Sequence, residues 1–343
     1  MWWSTTCRLP TRVPLQFHFL PSWWYQEYGI SHGERLFYDV EYRACTAREM
    51  QHLAFERFSD IGVGDPDPPL VYLAGDLANA TMPAAFGCEV VFADDRYPAN
   101  LPLSQDRISP PGRTSELSET YPFCEMIRQA EYVRAKHDAE LSLGWNTMGV
   151  QNIAVQTLGA GLFADYYARP EWVRSILDGA RQLMEASLDC FVAAGSKPEV
   201  FWNQNCTVPL CGPRIYERYL LEHEKALHGS SGRLGIGYGI HHCGCFDEYA
   251  SLYRQIETVG MIQIGSDSNV RLALDTFPES QVDYIVSHAR IREGPASAIH
   301  EWMHALLEAV GPDEERFSLC VPDLEYRTPD DHIRAVVHAL LPR

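Results

Sequence analysis

The sequence predicts an α/β protein and, within that class, a (β/α)8 TIM barrel. Three observations carry the expectation. Short apolar runs of strand length alternate with longer amphipathic stretches along the chain. The short runs are mostly apolar throughout, as strands of a parallel sheet covered by helices are. About eight such strand–helix units fit into the 343 residues, which favours a closed barrel over an open sheet. With no internal repeat and no Gly/Ser linker, residues 1–343 read as a single domain.

In chain order, the first strand is VPLQFHFL (13–20), and a helix follows over 46–58. LVYLAGD (70–76) and CEVVFAD (88–94) are the next strands. The Pro-rich piece SQDRISPPGRTSEL (104–117) reads as an exposed insertion loop. A helix over 118–137 precedes the strand LSLGW (141–145), and Pro170 suits the first position of a helix over 170–195. Strands EVFWNQN (199–205), LGIGYGIHH (234–242), MIQIGSD (261–267), DYIVSHA (283–289) and FSLCVP (317–322) follow. Between and after them lie helices over 215–228, 245–260, 296–310 and 328–341, the last with Thr328 as cap and Pro329 at its first position.

Charge narrows the partners. With 46 acidic and 28 basic side chains the net charge is −18, the opposite of what nucleic acid or an anionic membrane requires of a main partner. The opening MWWSTTCRLPTRVP lacks the uninterrupted apolar core of a signal peptide, and no apolar run has the length of a membrane span. The expectation is a cytoplasmic protein, in whose reducing environment the ten cysteines serve as metal ligands, catalytic thiols or core rather than disulfides.

The stretch GIGYGIHHCGCF (235–246) concentrates that chemistry. Residues two apart on a strand share a face, so His241 and Cys243 point one way and His242 the other. Alone, His-x-Cys fits a buried strand end as well as it fits a metal site. Cys320 ends the strand FSLC at the equivalent level of the last repeat and supplies a third soft ligand. Three His/Cys/Cys ligands with an open fourth position suit a catalytic zinc.

With that pattern the chain resembles the uroporphyrinogen decarboxylase superfamily and, within it, the zinc-dependent corrinoid methyltransferases, whose hallmark is His-x-Cys followed later by a second Cys. Flanking segments resemble the family in the same order: VPLQFHFLP, FGCEVVFADDRYP (86–98), GVQNIAVQTLGAGLFADYYARPEWVRSIL (149–177), GSDSNV (265–270) and CVPDLEYRTPDDHIRAVV (320–337). The resemblance covers nearly all of residues 10–341. It implies that His241, Cys243 and Cys320 hold Zn2+ and form the catalytic centre. It further implies methyl transfer between a corrinoid (cobalamin), free or on a partner protein, and a small substrate: a thiol acceptor or a methylated oxygen, nitrogen or sulfur donor. The decarboxylase itself is the rival within the superfamily. It holds a many-carboxylate substrate with an Arg-bearing N-terminal motif, whereas LPSWWYQEYGISH (20–32) contains no arginine, and unpaired buried carboxylates are costly. A barrel that keeps zinc or a thiol without turnover is the alternative from another class.

Four further residues are candidates for substrate binding, each with an ordinary structural alternative. His18 ends the first strand and either lines the pocket or belongs to the core. Asn203 and Asn205 end EVFWNQN, where they contact substrate or cap the following loop. Asp267 bonds a zinc-bound group or caps a turn. Cys206 and Cys211 read as loop cysteines. Cys245 turns away where a helix begins, and Trp23, Trp24, Tyr25 and Tyr28 form either a pocket wall or core.

Overall fold

Along the first long strand, Leu15, Phe17 and Phe19 are fully buried, while Gln16 and His18 point to the opposite side and line a cavity. That alternation repeats around the sheet and fixes where the core and the site lie. The computed structural model describes residues 4–104, 114–137, 147–196 and 198–342. Among the described residues nine strands are formed: β1 (Ser4–Thr6), β2 (Leu15–Phe19), β3 (Glu89–Ala93), β4 (Arg96–Leu101), β5 (Val200–Gln204), β6 (Gly237–His242), β7 (Met261–Ile264), β8 (Gln281–Ile285) and β9 (Phe317–Leu324).

Seven of them make one sheet in the order β1-β2-β9-β8-β7-β6-β5. β1 is antiparallel to β2, and every later pairing is parallel. The sheet curls into a half-barrel whose concave face bounds the cavity. Its convex face carries Phe201, Tyr238, Ile240, Ile262, Ile264, Val282, Tyr284, Phe317, Leu319 and Val321, all buried. Burying each such side chain contributes roughly 1.5–3 kcal/mol. Helices cover this face, among them Pro170–Ala193, Ala296–Val310 and Asp330–Leu340. In Ala296–Val310 the buried residues Ile299, Met303, Leu306, Leu307 and Val310 form the apolar stripe expected of such a helix.

The closed eight-strand barrel is corrected to this half-barrel among the described residues. LVYLAGD (70–76) forms no strand run: the Leu73 carbonyl accepts from the buried Arg43 guanidinium, and the Gly75 amide donates to Gln129. Gly75 packs so tightly against the Phe37 carbonyl and Arg43 that a Cβ there would clash. Leu73 alone in the segment holds a β-bridge position, and no longer ladder forms there among the described residues. CEVVFAD does form β3, but it turns back into β4 as a separate antiparallel hairpin. On the side of β5 away from β6, Met148 makes an isolated parallel bridge to Gln204. The strand expected at 141–145 lies outside the described residues, as does most of the 104–117 loop.

The later elements match more closely. Helices over 296–310 and 170–193 fall where periodicity places them, with Pro170 at the first position. The last helix starts one residue late, with Pro329 as its cap. The helix expected over 245–260 is reduced to the short turns Asp247–Tyr249 and Ala250–Tyr253. Among the described residues no helix is long and apolar enough to cross a membrane.

Candidate functional site

β6 reads Gly237, Gly239, His241 along its concave side, and Cys243 continues the series. The glycines have a spatial reason: the Trp202 indole of β5 lies against Gly239, where any Cβ would strike it. Removing side chains below His241 opens a cavity of about 710 Å³ over that indole. His241 and Trp202 ring centroids are 6.4 Å apart.

The parallel register brings a residue of the neighbouring strand to the same level. Gln204 pairs with His241, so Cys206, two residues on, comes up beside Cys243. The ligand atoms of Cys206, His241 and Cys243 all lie within 4.8 Å of one another. Cys243 Sγ is 2.7 Å from His241 Nε2. The Cys206 loop is held by Asn152, whose Oδ1 accepts from the Thr207 amide at 2.8 Å and hydroxyl at 2.6 Å. Gly265 lets the chain pass Cys243 closely, since a Cβ there would meet the Cys243 carbonyl.

His241 is oriented by a row of polar residues on adjacent strands. His241, Gln263, Asp283 and Ser318 are in register across β6, β7, β8 and β9. Ser318 donates to Asp283 at 2.6 Å, the Gln263 amide NH2 donates to Asp283, and Gln263 Oε1 accepts from His241 Nδ1. A carboxylate accepts only, so it fixes which end of the Gln263 amide faces His241. The Nδ1–H tautomer follows, leaving the Nε2 lone pair aimed at the thiols. His242, on the opposite face, holds the other tautomer: its Nε2 donates to the Cys245 carbonyl and its Nδ1 accepts from Tyr253.

The thiols behave as one unit. A hydrogen bond from Cys243, reinforced by His241, holds the Cys206 thiol well below its ordinary range. The same hydrogen bond, together with burial, pushes Cys243 up. One proton is thus shared and one thiolate is readily formed. Burial alone would lower the His241 pKa, but Cys206, Gln263 and Asp283 outweigh it and raise it.

The expected ligand Cys320 lines the same cavity but stands outside this group: its Sγ is 4.0 Å from the ring nitrogens of His18 and bonds Gln263. Burial and the charges of Asp283 and Asp323 push its thiol up, so it stays protonated. His18 does line the cavity, and burial lowers it to about 4, which leaves it neutral near pH 7. Asn203 and Asn205 do not reach the cavity. They sit on the convex parity of β5, where Asn205 donates to Glu224 and Tyr253; Trp202 and Gln204 are the inward residues. Asp267 is exposed and outside the cavity wall, which Ser266 supplies instead. Trp23 and Trp24 are core, at 0% and 1% exposure. Cys206, which reads as a loop cysteine from sequence alone, carries one signal that it joins this group: it follows Gln204 by the spacing that separates Cys243 from His241.

No protein-family model matches the chain, and no curated protein matches it in sequence. Among solved structures it is similar to a methyltransferase from Methanosarcina mazei, at 14% identity and a TM-score of 0.64, covering 97% of this chain and 93% of that one. A D-psicose 3-epimerase shows a weaker likeness, at 12% identity and TM-score 0.35 over 66% of this chain and 85% of the other. A 3-keto-D-glucoside 4-epimerase from E. coli gives 12% identity and TM-score 0.31 over 62% and 92%. At such identities the methyltransferase likeness is one of fold.

Proposed function

We propose that the chain is a zinc-dependent methyltransferase that exchanges a methyl group between a corrinoid and a small substrate held in the cavity. The carrying observation is the Cys206–His241–Cys243 group at the carboxyl ends of parallel strands, open to a cavity of small-molecule size. The sequence resemblance and the fold likeness support the methyl chemistry. Two thiols and an imidazole are a soft donor set suited to zinc, and exposed Cys243 leaves the outer side of the group open. Zinc bound there would act as a Lewis acid on the lone pair of the sulfur, oxygen or nitrogen that accepts the methyl or is left when the methyl departs.

The protein's part is positioning. Gln263 and Asp283 hold His241 in the ligating tautomer, and Cys206, held low by its hydrogen bond with Cys243, is the thiol that gives up its proton first. Trp202 floors the substrate space. The cavity has small-ligand size, so the corrinoid is assigned to the mouth, as a co-substrate from solution or from a partner protein.

The test is zinc content and turnover together. Wild-type protein is expected to carry close to one zinc and to change the spectrum of methylcobalamin with thiols, or of Co(I) cobalamin with methylated donors. Cys206→Ser and His241→Ala lose the metal, whereas Cys320→Ser keeps it. Zinc lost from Cys320→Ser but retained in Cys206→Ser would return the ligand set to His241, Cys243 and Cys320. A zinc-loaded protein without methyl transfer to or from any partner would overturn the activity.

A further inference from the structure

The cavity carries a charge pattern that selects its occupant. Its described lining includes the carboxylates of Asp283 and Asp323 and the thiols of Cys206, Cys243 and Cys320, but neither lysine nor arginine. His18, His241 and His288 are the other ionisable groups on the wall besides Tyr97.

Asp323 is placed there by a local irregularity. β2 and β9 pair Phe17 with Val321 and then Phe19 with Leu324, so His18 alone opposes both Pro322 and Asp323. This bulge interrupts strict alternation: Pro322 and Asp323 both line the cavity, and Leu324 is buried again. Asp323 pays for it with φ 58, a left-handed conformation unusual for a residue other than glycine. Burial raises its carboxyl above the ordinary range, while the charges of His288 and His241 act to lower it. Trp202, pressed on Gly239, and Tyr97 line the same cavity.

A cavity whose wall carries carboxylates and an indole but neither lysine nor arginine among its described lining favours a positively charged, weakly hydrated group over an anion. The overall charge of −18 adds a field of the same sign. The geometry points to a cationic substrate: an onium compound, quaternary ammonium or sulfonium, bound in this cavity, with Asp323 and Trp202 in its wall, beside the Cys206–His241–Cys243 group. The inference rests on the methyl-transfer reading only in taking this cavity as the substrate site.

Calorimetric binding tests it, on zinc-loaded and on metal-stripped protein. The probes are choline, tetramethylammonium, trimethylsulfonium, the uncharged choline isostere 3,3-dimethylbutan-1-ol, and 3-mercaptopropionate. In both forms at least one cation is expected to bind roughly tenfold or more tightly than the isostere. Asp323→Asn, which tolerates the left-handed backbone, is expected to remove that preference while leaving isostere affinity and melting temperature unchanged. Trp202→Leu weakens the cations as well. No cation binding, equal binding of choline and its isostere, or tighter binding of 3-mercaptopropionate to metal-stripped protein overturns the inference. Cation-selective binding without methyl transfer would sink the methyltransferase reading and leave this one standing; turnover of an anionic thiol without cation selectivity would do the reverse.

Discussion

Glu224 shows how much a single buried residue can set. It is 1% exposed, accepts from Asn205 at 2.7 Å and Tyr216 at 2.9 Å, and stands behind the sheet at the level of the site. Burial raises its pKa from 4.5 to about 7. The folded state therefore holds a proton that the unfolded chain has released, and stability from this group is fully present below pH 4.5 and lost as pH rises through 7. Glu224→Gln removes that titration. Between pH 5 and 8 the variant is expected to gain on wild type by an amount on the order of 3 kcal/mol, read from urea melts at the two pH values. Equal pH slopes would mean that Glu224 is not buried as a protonated acid. The pair His241 and His242 makes a related point: adjacent imidazoles hold opposite tautomers because their partners differ.

At the scale of the element, β6 is shaped by what its glycines omit. Gly237 and Gly239 leave the concave side bare, and Trp202 fills part of the space. Gly239→Val is expected to displace Trp202, shrink the cavity and destabilise the fold by about 1–3 kcal/mol, the usual cost of overpacking. A shift of the tryptophan fluorescence maximum and the denaturation midpoint both report it. An unchanged midpoint with unchanged fluorescence would show that Trp202 does not rest there. The His-x-Cys face was legible from the two-residue period of β6. The same period, applied to EVFWNQN, assigns Asn203 and Asn205 to one face but does not say which face is concave. Only the packing of Phe201 and Asn203 against helices decides that.

Over the whole molecule the proposed metal site links binding to folding, because Cys206 and the His241–Cys243 pair belong to two separate segments that lie together only in the folded state. Zinc at a hundredfold excess over its Kd is expected to stabilise wild type by about 2.7 kcal/mol, seen as a rise in Tm that EDTA reverses. His241→Ala, with the fold intact, should show no such rise; a rise equal to that of wild type would place the metal elsewhere.

What the sequence determined by itself was local. Its alternation of apolar runs and amphipathic helices specified an α/β fold, and its glycine spacing before His241 and Cys243 specified a soft-ligand face, since both depend on period and residue type alone. Tertiary structure decided the rest. Cys206 joins the group because β5 and β6 are parallel neighbours with Gln204 opposite His241, a register that no local pattern encodes. Cys320 stands apart because Gln263 and His18 take its place in contact. Segment 70–76 is reduced to a bridge position at Leu73, whose carbonyl also accepts from a buried Arg43 distant in sequence. Contacts between distant segments are chosen by the free energy of the whole packed chain, so they become visible only when it is folded.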